Sequence, residues 1–119
     1  MLIARQYKLS TPLAKNETTT DKILRYMSEH IDTVTLKKLA SEFSYNPNYI
    51  STLIHNELGK TFSMVQLEQR MNRAATMLKG TNLSVEEIAF MVGYSNTSNF
   101  FKAFKEYYGS SPREYNKDQ

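Results

Sequence analysis

The amino-acid sequence predicts an all-α fold, with seven helices arranged as two helix-turn-helix subdomains joined by a long linker helix. Three observations predict it. The first is an internal repeat. Leu39-Ala40-x-x-Phe43-x-Tyr45 falls on Ile88-Ala89-x-x-Val92-x-Tyr94 at an offset of 49. Past the turn, Tyr49-Ile50, Leu53-Ile54 and Leu58-Gly59 fall on Asn99-Phe100, Ala103-Phe104 and Tyr108-Gly109 at an offset of 50. One extra residue in the second turn accounts for the change, and loops tolerate such length differences. The second observation is a seam of Met64, Leu67, Met71, Ala74 and Leu78 at alternating spacings of 3 and 4, which is helical periodicity. The third is that no segment alternates convincingly like a strand, whereas helix start and stop signals recur along the chain.

The elements follow in order. Residues 1–17, broken by Ser10-Thr11-Pro12, read as an irregular tail or linker. Thr18 to Thr20 and Asp21 supply start signals for a first helix with an apolar stripe of Ile23, Leu24, Met27 and Ile31. His30 ends that helix, where its ring can meet the C-terminal dipole. Thr35 caps a short helix carrying Leu36, Leu39, Ala40 and Phe43, and Ser44-Tyr45 turns the chain. Asn46-Pro47 pairs an N-cap with a first-turn proline and opens a helix that stops at Gly59, a left-handed C-cap. The longest helix runs from about Phe62 to Lys79 and ends at Gly80. Ser84-x-x-Glu87 is a capping box for a helix burying Val85, Ile88, Ala89 and Val92. Gly93 marks the second turn, Thr97 to Tyr108 form the next helix, and Gly109 ends it. Ser111-Pro112-x-Glu114 opens a short final helix. The expected organisation is therefore tail 1–17, subdomain one 18–60, linker helix 61–80 and subdomain two 81–116.

Composition narrows the function. The chain has 119 residues, 40% hydrophobic and 23% charged, the balance of an ordinary globular domain. With no Cys, thiolate catalysis, disulfides and Cys-based zinc sites drop out together. His30 and His55 are the only histidines, and there is neither a phosphate-binding glycine loop nor a usefully spaced carboxylate pair. No enzyme activity, cofactor or metal is expected. No run approaches the roughly 20 apolar residues of a membrane span, so a cytoplasmic location and no membrane partner are the expectation. Net charge is +3, which permits nucleic-acid binding without announcing it. The charges are scattered, so any DNA contact has to come from their placement.

A helix-turn-helix braces its first helix against the DNA backbone and lays the second in the major groove, where exposed side chains meet base edges. In the first unit Tyr49, Ile50, Leu53 and Ile54 are expected inward, leaving Asn48, Ser51, Thr52 and His55 as base readers. In the second, Phe100, Ala103 and Phe104 face inward, leaving Ser98, Phe101, Lys102 and Lys105. The two sets correspond one for one at the 50-residue offset. They differ in chemistry. Lys102 and Lys105 suit guanine acceptors or phosphates and Phe101 suits thymine methyls, while the first unit has no Lys or Arg between Leu39 and Gly59. Asn46, Lys60, Arg73, Lys79, Asn96, Thr97 and Arg113 are the candidates for phosphate contacts, helped by helix N-termini. Arg70 suits an internal bridge or carbonyl cap at least as well as a DNA contact. A linker helix of roughly 25 Å can place the two readers in successive major grooves, about 34 Å apart. Double-stranded DNA is the expected partner. The alternative is a helical protein-interaction module with weak or degenerate DNA binding, which the neutral first face favours.

The second unit also carries a family likeness. Ile88-Ala89-x-x-Val92-Gly93-Tyr94-Ser95-Asn96-x-x-Asn99-Phe100-Phe101-Lys102-x-Phe104-Lys105-x-x-x-Gly109-x-Ser111-Pro112-x-x-Tyr115 resembles the AraC/XylS signature. The first unit resembles that family's N-terminal helix-turn-helix through Leu39-Ala40, Tyr49-Ile50-Ser51 and Gly59-x-x-Phe62, and Arg70-x-x-x-Ala74-x-x-x-Leu78 is similar to its linker helix. The likeness covers about residues 18–116. It implies a regulator that binds asymmetric DNA sites and activates promoters through contacts with RNA polymerase. The chain departs from the pattern at Thr52 and His55, where Arg or Lys is usual, at Lys102 in place of Arg, and at Asn116 after Tyr115. Gln66 and Gln69 stand at positions that tend to be apolar. Most members join this domain to an effector-binding or dimerisation domain. Two readings stay open, a stand-alone member or the C-terminal piece of a longer regulator, with the ragged tail favouring the second.

Overall fold

In a computed structural model that describes residues 16–117, the chain forms α1 (Thr19–Glu29), α2 (Leu36–Glu42), α3 (Pro47–Leu58), α4 (Phe62–Gly80), α5 (Val85–Met91), α6 (Thr97–Tyr108) and α7 (Pro112–Lys117). Among the described residues there is no strand. The expected tail lies outside the described residues up to residue 15. Glu17, just inside them, forms an ion pair with Arg25 of α1.

Local signals decide the helix ends. Thr18 and Asp21 form a reciprocal capping box at α1, as do Ser84 and Glu87 at α5. Ser111 and Glu114 exchange the same two hydrogen bonds ahead of Pro112. Thr35 Oγ1 accepts from Lys38 N at 3.0 Å and Thr61 Oγ1 from Met64 N at 3.1 Å. Each cap satisfies an amide that the first helical turn leaves open, worth about 1 kcal/mol. His30 Nδ1 donates to the Tyr26 carbonyl at 3.0 Å and closes α1. Gly80 is taken into α4 as its last residue instead of following it, because Thr81 N still donates to Met77 O at 3.1 Å.

Two apolar cores form, one per subdomain. The first gathers Ile23, Met27, Val34, Leu39, Ala40, Ile50, Ile54 and Val65. The second gathers Met71, Ala74, Leu78, Val85, Ile88, Ala89, Val92, Phe100 and Phe104. Burial of each such large side chain is worth about 1.5–3 kcal/mol. Helix α4 serves both cores with different faces. At about 100° per residue, Val65 points well away from the Met71–Ala74–Leu78 row. Met64 shares the row's side but comes two turns earlier, beyond the second core, and is 49% exposed. The expected continuous seam therefore starts at Leu67.

Between those two faces of α4 runs a polar row. Gln66 Nε2 donates to Val34 O at 2.9 Å, Gln69 Nε2 to Leu24 O at 3.2 Å, Arg70 Nε to Ile31 O at 3.2 Å, and Arg73 Nη2 to Ser28 O at 3.0 Å. The spacing i, i+3, i+4, i+7 is one helical stripe. Its acceptors are the Leu24 and Ser28 carbonyls of α1 and the Ile31 and Val34 carbonyls of the turn after it. The two glutamines act as directional pegs between α4 and subdomain one. On the other side, the Tyr108 hydroxyl donates to Met71 O at 3.2 Å and ties the end of α6 to α4.

Candidate nucleic-acid interface

Each helix-turn-helix is set by its turn. Helix α2 closes with Tyr45 N donating to Ala40 O at 2.9 Å and Ser44 N to Ser41 O at 3.2 Å. Helix α5 closes with Tyr94 N to Ala89 O at 2.9 Å and Gly93 N to Phe90 O at 3.1 Å. Both are Schellman caps, which need a left-handed residue just past the helix. Ser44 fills that place at φ 60° and Gly93 at φ 108°. Asn46 Oδ1 then accepts from Tyr49 N at 2.8 Å, and Asn96 Oδ1 from Asn99 N at 3.1 Å, which starts α3 and α6 alike. Gly59 and Gly109 end them at φ 70° and 83°. Ser95 is the extra residue between cap and cap.

The repeat extends to burial. From Ile50 to Lys60 and from Phe100 to Ser110, the sequence of buried, half-buried and exposed positions is the same residue for residue. Ile50 and Ile54 lie inside, as do Phe100 and Phe104, with Leu53 and Ala103 half-buried. Asn48, Thr52 and His55 are exposed on α3, and Ser98, Lys102 and Lys105 on α6. The corresponding pair Ser51 and Phe101 is only half-exposed. Phe101 meets Phe100 edge-on at 6.3 Å, and the Arg113 guanidinium lies 5.5 Å above its ring. Phe101 thus packs against Phe100 and Arg113 and is only partly open to solvent.

Tyr49 corrects the inward assignment, being 46% exposed. Its ring packs 4.5 Å from that of Tyr45, itself 41% exposed, and the pair flanks the α3 N-terminus. The repeat held the signal for it. Tyr49 falls on Asn99, a polar and exposed residue.

The phosphate candidates divide. Asn46 and Asn96 spend their side-chain oxygens as caps, and Thr97 is half-buried in the first turn of α6. Lys60 pairs with Glu68 at 2.8 Å, and Arg113 with Glu86 at 3.1 Å. Lys79 Nζ sits 4.7 Å above the Tyr115 ring, and Arg73 is shared between the Ser28 carbonyl and, at 2.9 Å, its hydroxyl. Exposed pairs of this kind are worth at most about 1 kcal/mol, so a phosphate can compete for these cations. Among the described residues no ion pair engages the ammonium groups of Lys102 and Lys105. The electrostatic contrast between the two faces expected from sequence is therefore present on the surface.

The cleft between the α1–α2 turn and the α5–α6 turn holds about 230 Å³, is widely open, and is lined by Asp32, Thr33, Phe90, Gly93, Tyr94 and Ser95. Among the described residues, no group of three His, Cys, Asp or Glu is placed to hold a metal ion. No helix among them is long and apolar enough to cross a membrane.

Two capped helix-turn-helix units on one connecting helix define a paired helix-turn-helix domain. The family described as a helix-turn-helix domain matches residues 39–118. The transcriptional activator PerA of Escherichia coli O127:H6 is 39% identical over 61 residues, covering 51% of this chain and 22% of PerA. The C-terminal domain of AraT, a response regulator from Geobacillus stearothermophilus, is 34% identical with a TM-score of 0.79, covering 82% of this chain and 83% of that one. The DNA-binding domain of AdpA, solved with a target DNA, has the same fold, with a TM-score of 0.76 at 20% identity over 82% of this chain and 88% of that one. The chain belongs to the AraC/XylS family of helix-turn-helix transcription regulators. It spans between 13% and 41% of the length of the curated relatives with which it aligns.

Proposed function

We propose that this chain is the DNA-reading domain of a transcription activator, laying α3 and α6 into successive major grooves on one face of a duplex. The observation that carries the reading is the matched geometry of the two units. Asn48, Thr52 and His55 occupy the same exposed positions on α3 as Ser98, Lys102 and Lys105 on α6, and one helix fixes the distance between them. Nineteen residues of α4 span about 28 Å at 1.5 Å each, within reach of the roughly 34 Å groove repeat once the flanking turns are added. The structure of the AdpA domain with its target DNA and the name of PerA support duplex binding and activation respectively. Contact with RNA polymerase, action in the cytoplasm and the absence of catalysis belong to the same proposal.

The faces assign unequal roles. Lys102 and Lys105 supply charge-assisted contacts to guanine edges or phosphates, while Asn48, Ser51, Thr52 and His55 read by side-chain hydrogen bonds from a face without Lys or Arg. Phosphate binding by Lys60, Arg73, Lys79 and Arg113 orients the domain without reading sequence. A second reading, a protein-docking module with degenerate DNA affinity, draws on the absence of Lys and Arg from α3.

Selection of the domain against a randomised duplex pool near physiological salt separates the two. Two enriched segments about one helical turn apart are expected. One enriched segment would reduce the first unit to a clamp. No enrichment would favour the docking module.

A further inference from the structure

Arg70 touches both subdomains. Arg70, on the polar row of α4, donates through Nε to Ile31 O of subdomain one at 3.2 Å. Its guanidinium lies 5.5 Å from the centre of the Tyr94 ring in subdomain two. It also fills the space over Gly93, where an added Cβ would lie 2.6 Å from Nη2 and 2.7 Å from Cζ. Tyr94 is the residue that completes the α5 cap, and its ring meets the buried Phe100 of α6 at 5.5 Å. A contact path therefore runs from the end of α1, through Arg70 and Tyr94, to the core side of the second reading helix.

The other links are of a different kind. Gln66, Gln69 and Arg73 hold α4 to subdomain one alone. Leu67, Met71, Ala74 and Leu78 hold it to subdomain two through apolar contact, which has no directional preference, and the Tyr108 hydroxyl adds a hydrogen bond to Met71 O that engages subdomain two alone. The hydrogen bond and ring contact of Arg70 are directional on both sides at once. The guanidinium also accounts for an asymmetry in the repeat. Position 44 is a serine at φ 60°, whereas position 93 is a glycine over which the guanidinium leaves no room for a side chain.

We infer that Arg70 is a positioning residue that fixes the mutual register of α3 and α6, and so selects which half-site spacing the domain accepts. The consequence for spacing rests on the duplex-reading function proposed above, while the register itself does not. Moving one half-site by a base pair shifts it about 3.4 Å along the duplex and turns it about the axis, a change that a rigid pair of readers rejects and a loose pair tolerates.

Two measurements test this. The chain has no Cys, so Asn56→Cys and Glu106→Cys, exposed and equivalent on α3 and α6, give unique spin-label sites. The distance distribution between them is expected to be narrow in the parent and broader in Arg70→Met, with Arg70→Lys between, all three showing the same helical circular dichroism. An unchanged width in Arg70→Met overturns the inference. On duplexes carrying the selected halves at the preferred spacing or one base pair closer or farther, Arg70→Met should lower the preference for the native spacing about fivefold, with the salt dependence of binding unchanged. Equal weakening at all three spacings together with a shallower salt slope would instead make Arg70 a phosphate contact. If the parent binds no duplex, the functional reading fails and the label distances alone decide the register.

Discussion

Exchanging the residues at the two left-handed cap positions gives opposite, calculable results. Ser44 holds φ 60° with nothing in the repeat to require its side chain, and an L-residue in that region is strained by about 1–2 kcal/mol. Glycine removes the strain but loses about 0.5–1 kcal/mol through its freer unfolded chain. Ser44→Gly is therefore expected to stabilise the domain by about 0.5–1 kcal/mol. Gly93→Ala should do the reverse and more. The backbone term, net of the unfolded-state gain, is about 1 kcal/mol against the fold. The new Cβ must also expel the guanidinium now 2.6 Å away, forfeiting the Ile31 hydrogen bond and the Tyr94 contact. For a half-exposed group these two contacts together are worth about 1–2 kcal/mol. The sum is about 2–3 kcal/mol, which at a urea slope of roughly 1 kcal/mol/M lowers the midpoint by about 2–3 M. Urea unfolding followed by circular dichroism measures both variants. In an Arg70→Met background the Gly93→Ala penalty should shrink by about 1–2 kcal/mol, since the clash partner is gone. If Ser44→Gly lowers the midpoint, or if the Gly93 and Arg70 effects simply add, the cap and clash argument is wrong.

Three further outcomes are expected. Lys102→Ala should relax preference at one or two base pairs of the selected site, losing about 1–3 kcal/mol there, as competition binding on single-base variants would show; an unchanged preference removes Lys102 from the reading face. Ile54→Ala and Phe104→Ala hollow out equivalent buried positions, so each should destabilise its own core, by about 2–5 and 3–5 kcal/mol respectively; amide exchange would reveal loss confined first to the subdomain carrying the change, and a uniform loss would argue against two separate cores. Burial raises the phenols of Tyr94 and Tyr108 above their usual 10.0, with the Arg70 charge opposing the rise at Tyr94 and the neighbouring Tyr115 adding to it at Tyr108. The fold thus favours the protonated phenols, so this stability is fully present below pH 10 and drains as pH rises through the raised values. Tyr94→Phe should flatten the alkaline limb of a stability–pH curve, and an unaltered limb would contradict that origin.

Sequence was most informative where the physics is local. Thr35, Asn46-Pro47, Ser84 with Glu87, and Ser111 with Glu114 each act on amides within three residues, so the signal and its effect sit in one window. The repeat extended this reach by letting each half check the other. What escaped the sequence was the acceptor side of long-range polar contacts. Arg70 and Arg73 meet carbonyls 39 and 45 residues away, and a backbone carbonyl leaves no mark in a side-chain pattern. Gln66 and Gln69 looked like flaws in an apolar helix face for the same reason, although they are donors matched to Val34 and Leu24. Tyr49 was misplaced because periodicity locates the centre of a buried stripe better than its margin.

The two units share a scaffold but not a surface, and that division has a mechanistic reading. The caps and core positions of α3 and α6 correspond throughout, so both units hold their exposed faces on the same framework. Yet α6 exposes the ammonium groups of Lys102 and Lys105, where α3 exposes Thr52 and His55 and has no Lys or Arg. Attraction to the duplex is long-ranged and falls with salt, whereas neutral hydrogen bonds act only at contact. Under the proposed function, subdomain two supplies most of the encounter and subdomain one tests the sequence at a distance set by α4. That division demands a rigid link. A face without Lys or Arg gains little from an approximate fit, so its contribution depends on arriving in register with the second half-site. Evidence of a directional strut at Arg70, in addition to the apolar packing of α4, is what such a dependence requires.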